Sequence, residues 1–336
     1  MWVALMLNGA MSATDELPAA RVEQMRRYRE KLERDLGPDV RQALSDPNVI
    51  EVMLNPDGKL WVERVGSGMT AVSRISAQAA ERLIATVAAG VGTTVTYDNP
   101  TIECELPTDG SRFAAMIFPA ARAPMFTIRR HAALVWSLDD YVRDAILTAA
   151  QADILRAAIV NRDNILVAGG TGSGKTTLTN ALINEVAILT PAHRLVIIED
   201  TPEIQCQSPN AVSFRANAAI PSLTMERLLA RSLRHRPDRI IVGEVRGGEA
   251  LTLIEAWNTG HPGGIATIHA NEASADDALF RLESLVAKAA RGDMRRFIAK
   301  AINLIAVISR EGGWRRVKQL IRVEDFLDGA YRTKGE

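Results

Sequence analysis

Eight consecutive residues, Gly169-Gly170-Thr171-Gly172-Ser173-Gly174-Lys175-Thr176, constrain this chain more than any other stretch. They fit GxxxxGK[ST] and lie where that pattern has a mechanism, after a brief apolar strand (Asn164 to Ala168) and before a helix (Leu178 to Leu189). Glycines let the backbone wrap close to phosphate oxygens with its N–H groups turned inward, and the helix N-terminus adds a favourable dipole for the anion. Gly170, Thr171, Gly172, Ser173, Gly174, Lys175, Thr176 and Thr177 are the candidate nucleotide-binding residues. Lys175 is expected to reach the β and γ phosphates of ATP, and Thr176 to ligate Mg²⁺.

A phosphate loop on a strand implies a sheet around it. Gln151 to Val160 suits a helix, and Arg194 to Ile198 and Arg239 to Val242 are two further buried-strand candidates. Strands and helices alternating in this way predict a mainly parallel sheet with helices on both faces, an α/β domain. Hydrolysis also needs an acidic group near the terminal phosphate. Two candidate strands run into acids, at Glu199-Asp200 and at Gly243-Glu244. Ligands of an open parallel sheet sit outside the carboxyl ends of its strands, so these acids are expected to converge on one nucleotide.

A chain of 336 residues exceeds one typical domain, and the N-terminal pattern is of another kind. Arg21 to Leu36 is a charged helix candidate, with Met25, Tyr28, Leu32 and Leu36 at near-helical spacing and Gly37-Pro38 as its stop. A strand from Val49 through Leu54, the turn Asn55-Pro56-Asp57-Gly58 and a return over Leu60 to Val65 read as a hairpin. Ser76 caps a helix to about Val91. Thr101 to Leu106 and Arg112 to Phe118 form a second hairpin, and Phe126 to Arg129 adds a strand. The expected organisation is an extension with a helix (1–37), a small α+β domain (38–130), a linker (131–140) and the phosphate-loop domain (141–336).

Lys plus Arg and Asp plus Glu each number 40, which argues against a chain-wide electrostatic commitment to nucleic acid or acidic membrane. The two cysteines, Cys104 and Cys206, lie far apart, so neither a disulfide framework nor a cysteine-built zinc site is expected and a cytoplasmic setting fits. The apolar start Met1 to Met6 lacks a basic n-region and is too short for a signal-peptide core. No stretch reaches roughly 18 uninterrupted apolar residues, so membrane association is expected to be peripheral. His261 and His269 flank Pro262-Gly263-Gly264 at a spacing poor for metal ligation. A polar sensor beside the γ phosphate and a strand-end histidine satisfied by backbone bonds are both open readings of His269. Arg227, Arg231, Arg234 and Arg236 make a basic helix, but no aromatic stacking platform accompanies it, and direct nucleic-acid binding is not expected.

The order of these motifs closely resembles the secretion-superfamily ATPases, the motors of type II secretion, type IV pili and type IV secretion. Four boxes carry the resemblance: the phosphate loop; Ile198-Glu199-Asp200-Thr201-Pro202-Glu203, similar to the family's Asp box; Leu233 to Asp238 through Gly243-Glu244-Val245-Arg246, similar to its Walker B box; and Thr259-Gly260-His261 through Thr267-Ile268-His269-Ala270-Asn271, similar to its His box. The resemblance covers roughly residues 40 to 310. It implies an N-terminal α+β domain and a RecA-like P-loop domain assembled as a homo-hexameric ring, with nucleotide at the domain junction. In the family the glutamate matching Glu244 is implicated in hydrolysis. Glu199 and Asp200 would help place Mg²⁺ and the attacking water, and His269 would sense the γ phosphate. Arginines of the family's N-terminal domain reach the phosphates, and Arg112 and Arg129 occupy the matching places. Guanidinium charge there would offset the negative charge on the phosphoryl oxygens.

With two cysteines in all, the chain cannot carry the four-cysteine zinc module of the type II members. Its length resembles the type IV secretion and conjugative-transfer branch, whose partners are inner-membrane components of the transfer machine. A nucleotide-gated scaffold, an adherence-pilus motor and a DNA-translocating ring are the competing readings.

Overall fold

Strand-like alternation over the first 130 residues and fully apolar short strands thereafter imply two cores, and the chain divides accordingly into residues 1–133 and 134–336. The computed structural model describes residues 19–64, 67–130, 135–217, 220–270, 274–311 and 314–336. The start Met1 to Met6, Val65, positions 131–134 of the expected linker and Asn271 of the His box lie outside the described residues.

The first unit opens on helix α1 (Ala19–Ser45), followed by β1 (Val49–Leu54), β2 (Lys59–Arg64), β3 (Gly68–Arg74), α2 (Ala77–Gly90), β4 (Thr101–Glu105), β5 (Arg112–Met116) and β6 (Met125–Arg129). Its sheet runs β3-β2-β1-β6-β5-β4 with every neighbour antiparallel. Leu60 and Val62 on β2 alternate inward, as a sheet with one buried face requires. Phe113 and Phe126 stack at 5.9 Å between ring centroids. Ser76 caps α2 by accepting from the Ala79 amide at 3.3 Å, as its sequence position predicts.

One boundary agrees with the sequence expectation and one strand does not. Gly37 leaves helical geometry at φ 72° and ψ 171°, so the first helical stretch of α1 stops there as expected, and a second begins at Pro38, whose fixed φ and missing N–H suit a first turn. The buried stripe Leu32, Leu36, Val40 and Ala43 therefore continues across the bend into the same core. Strand β3 carries no apolar alternation because most of its side chains are exposed on the sheet edge.

The second unit comprises α3 (Leu138–Arg143), α4 (Ala149–Asn161), β7 (Ile165–Gly169), α5 (Lys175–Leu189), β8 (Leu195–Glu199), β9 (Ala211–Arg215), α6 (Met225–Ser232), β10 (Arg239–Val245), α7 (Glu249–Asn258), β11 (Ile265–His269), α8 (Ala275–Val286), α9 (Arg295–Ala301), β12 (Leu304–Glu311), β13 (Trp314–Leu327) and β14 (Ala330–Gly335). The sheet order is β14-β13-β12-β7-β11-β10-β8-β9. From β12 to β9 every pairing is parallel, and β13 and β14 add antiparallel to one edge.

On β7, Leu166 and Ala168 enter one core with α6, α7, α8 and α9, while Ile165 and Val167 enter the other with α3, α4 and α5. Burial on both faces is why these strands read as unbroken apolar runs. Helix α3 begins inside the segment expected as linker, with a capping box between Ser137 and Asp140. Among the described residues, no helix is long and apolar enough to cross a membrane.

Candidate nucleotide site

Strand β7 ends at Gly169, and the space there admits no side chain. A Cβ would lie 2.2 Å from the Ile308 carbonyl oxygen and 2.6 Å from Ser173 Oγ. The loop then turns through Gly172 and Gly174, whose φ values of 68° and 101° favour glycine. Gly174 is the N-cap of α5 and supplies no side-chain hydrogen bond. The first N–H groups of that 15-residue helix therefore lack intrahelical acceptors and present a ready anion site. Lys175 Nζ folds back over the loop, donating to the carbonyls of Gly169 at 3.0 Å and Gly170 at 2.9 Å. Helix α5 starts three residues before the apolar periodicity does, because Lys175, Thr176 and Thr177 give no hydrophobic signal.

The parallel registers bring the other strand ends alongside. His269, the last residue of β11, pairs with Gly169, and the Ala270 amide donates to the Gly169 carbonyl at 3.2 Å. Val242 pairs with Ile198, which sets Gly243 beside Glu199. A Cβ on Gly243 would come within 2.9 Å of Glu199 Cγ, so the glycine makes room for that carboxylate. Thr267 donates its hydroxyl to the Gly243 carbonyl at 2.6 Å, tying β11 to β10 at the same level.

The predicted acids play unequal parts. Glu199 is 5% exposed, and its Oε1 accepts from the amides of Glu203 and Ile204, both at 2.9 Å. Burial pushes its pKa up to about 7, against the opposing pull of those two amides. It is placed to shape the turn after β8 rather than to face solvent. Asp200 and Glu244 are bridged by Arg246, whose guanidinium donates to each at 2.6 Å. Thr176 Oγ1 donates to Glu203 Oε2 at 3.0 Å, and Asn180 holds the same segment through the Glu203 carbonyl and the Gln205 amide.

Glu203, Arg246 and Glu249 were not among the residues singled out from sequence. The first two lie inside the boxes, where their spacing was visible but their geometry was not. Glu249 is buried at the start of α7 and accepts from the amides of Arg246 at 2.6 Å and Gly247 at 2.7 Å, fixing the turn that carries Arg246. Only the three-dimensional turn reveals it.

Arg112 and Arg129 belong to the first unit, where they pair across β5 and β6. Arg129 lies 3.6 Å from Glu51. The turn before Arg112 is held by Asp109, which accepts from the Ser111 amide at 3.0 Å and its hydroxyl at 2.8 Å. The second unit by itself thus brings together the phosphate loop, Glu199, Asp200, Glu244 and His269.

Comparison with known proteins gives a consistent answer. Residues 35–311 match the family model described as type II/IV secretion system protein. The chain is 48% identical over 318 residues to a probable conjugal transfer protein TrbB of Sinorhizobium fredii, covering 94% of this chain and 96% of that one. It is also 48% identical to conjugal transfer protein TrbB of Rhizobium radiobacter, over 90% of this chain and 93% of the relative. Among solved structures, the ATPase DotB of Legionella pneumophila superposes with a TM-score of 0.59 at 21% identity, covering 88% of this chain and 81% of that one, a likeness of fold.

Proposed function

The chain belongs to the type II/IV secretion system protein family and is an ATPase of it, and on that premise we propose that its hydrolysis drives a type IV secretion or conjugative transfer apparatus. The observation that carries this reading is the convergence of four parallel strand ends on one loop, with Thr176 bonded to Glu203 and Arg246 spanning Asp200 and Glu244. The extent of similarity to relatives named for conjugal transfer supports the choice of branch.

The residues have separable roles. The N–H groups of residues 170–177 and the Lys175 ammonium bind the polyphosphate, for which Lys175 must leave the carbonyls it now holds. Glu244 orients the attacking water and takes its proton as the water oxygen bonds to the terminal phosphorus and the bond to ADP breaks. Glu199 holds the turn that carries Asp200 and Glu203. His269, level with Gly169, contacts the terminal phosphoryl group.

The donors around Thr176 fit Mg²⁺: a hydroxyl and carboxylates are hard oxygen ligands. Mg²⁺ usually keeps several waters and is shared with substrate phosphates, so few protein ligands are needed. Thr176 and Glu203, with Asp200 nearby, are the residues that would hold it, and it would neutralise charge developing on the phosphates.

We assign the working form as a homo-hexamer at the cytoplasmic face of the inner membrane, docked on membrane components of the transfer machine. The test is turnover and transfer measured side by side. Lys175→Ala and Glu244→Gln should abolish ATP hydrolysis by the purified chain, and cells carrying either should lose conjugative transfer. Transfer that survives Glu244→Gln refutes the motor and favours a nucleotide-gated scaffold. Light scattering with ATP present should report six copies, and a persistent monomer refutes the ring.

A further inference from the structure

Strand β12 and the start of β13 flank the phosphate loop on the side away from the acids. The Ile308 carbonyl fills the place of a side chain on Gly169. Seven residues on, the Arg315 side chain does the same for Gly174: a Cβ there would meet Arg315 Cδ at 3.1 Å and Nε at 3.4 Å. The hairpin thus touches both ends of the loop, and Arg315 leans on the very glycine that caps α5.

What the arginine does there is unexplained by the fold. Its Nε is buried without a hydrogen-bond partner, and among the described residues no carboxylate pairs with its guanidinium. Tyr141 is near enough to feel its charge, but no hydrogen bond joins them among the described residues. A buried donor with no acceptor is costly, and more so when it belongs to a charged group. Two other arginines of this unit find partners for their guanidinium groups. Arg239 donates to His193 and to the carbonyls of Gly263 and Ile159, and Arg322 pairs with Asp163 and Glu336.

The sheet order says which part of a nucleotide Arg315 meets. Glu199, Asp200, Glu244 and His269 lie at the ends of β8, β10 and β11, on one side of β7, whereas Arg315 reaches the loop from β12 and β13, on the other. Hydrolysis at the terminal phosphate occupies the acidic side. The opposite end of a polyphosphate lying in the loop, the α-phosphate that carries the nucleoside, falls on the hairpin side. We propose that Arg315 is a nucleotide-binding residue that donates to the α-phosphate. This rests on the reading of the loop as the ATP site. Because ADP and ATP share the α-phosphate, Arg315 contributes to holding both, unlike a residue that senses the terminal phosphate.

The test compares affinities for ADP and for a non-hydrolysable ATP analogue, measured on the full chain by calorimetry. A charge-assisted hydrogen bond sets the scale, and Arg315→Gln should weaken both ligands by the same factor, roughly tenfold or more. Arg315→Lys should recover part of the loss, and in turnover the defect should appear in KM. Apo-protein unfolding midpoints of the two variants, matched to the parent, exclude a folding defect as the cause. Unchanged affinity for both ligands in Arg315→Gln overturns the assignment, and so does a loss confined to the ATP analogue. Lys175→Ala separates this from the underlying reading: if it too leaves binding intact, the loop is not the nucleotide site at all.

Discussion

Glu199 makes a quantitative test of how the site is built. Its carboxyl is 5% exposed and its pKa stands at about 7, raised from an ordinary 4.5 chiefly by burial. Below pH 4.5 the group is protonated in both the folded and unfolded chain and has no effect on the balance. Between pH 4.5 and about 7 the unfolded chain releases the proton while the folded one retains it, so stability falls as pH rises, and above about 7 the whole penalty is present. At 1.36 kcal/mol per pH unit, the difference between 4.5 and 7 amounts to roughly 3 kcal/mol, an order-of-magnitude figure. Glu199→Gln keeps an oxygen that can accept from the Glu203 and Ile204 amides but removes the ionisation. The assay is urea unfolding of parent and variant at pH 4.5, 6, 7 and 8, followed by tryptophan emission, to which Trp257 in the second core contributes. The stability of Glu199→Gln relative to the parent should rise across that range by roughly 3 kcal/mol, with every other titrating group cancelling in the difference. A difference that stays constant from pH 4.5 to 8 would mean that Glu199 is ionised at no cost where it sits, and the reasoning from burial would fail.

Two further substitutions probe the neighbours of Glu199. Gly243→Ala puts a Cβ within 2.9 Å of Glu199 Cγ; it should cost about 1–3 kcal/mol in unfolding free energy and lower turnover, whereas an unperturbed midpoint with normal turnover would show that the glycine is incidental. Arg246→Ala removes the cation spanning Asp200 and Glu244; kcat should fall by about tenfold or more with little change in unfolding midpoint, since exposed ion pairs add roughly 0–1 kcal/mol, and an unchanged kcat would exclude Arg246 from the working site.

Much of this arrangement is legible in the sequence. The apolar strands before Gly169, Glu199 and Gly243 were legible because parallel strands buried on both faces read as near-continuous apolar runs. The phosphate loop was legible because Gly172 and Gly174 take left-handed φ and Gly169 has no room for a side chain, demands that favour glycine at fixed spacing. Strand β3, by contrast, has no buried face to print a pattern, and the long β13 mixes exposed and buried positions around a register shift. Glu199 is the instructive case within the site. Its place at a strand end was visible, but its role depends on the Glu203 and Ile204 amides curling back over it, and on Gly243 being small. Arg315 left no motif at all, because its contact with Gly174 joins residues 141 positions apart.

The close approach of the Ile308 carbonyl to Gly169 has a mechanical consequence. Strands β7 and β12 pair in parallel over four residues just before that contact, so there is no slack between the loop and the hairpin that follows. Trp314, exposed on β13 and paired with Glu311 three residues beyond Ile308, belongs to the same strand pair that meets the loop, which makes it a natural place to attach a reporter of what the loop is doing.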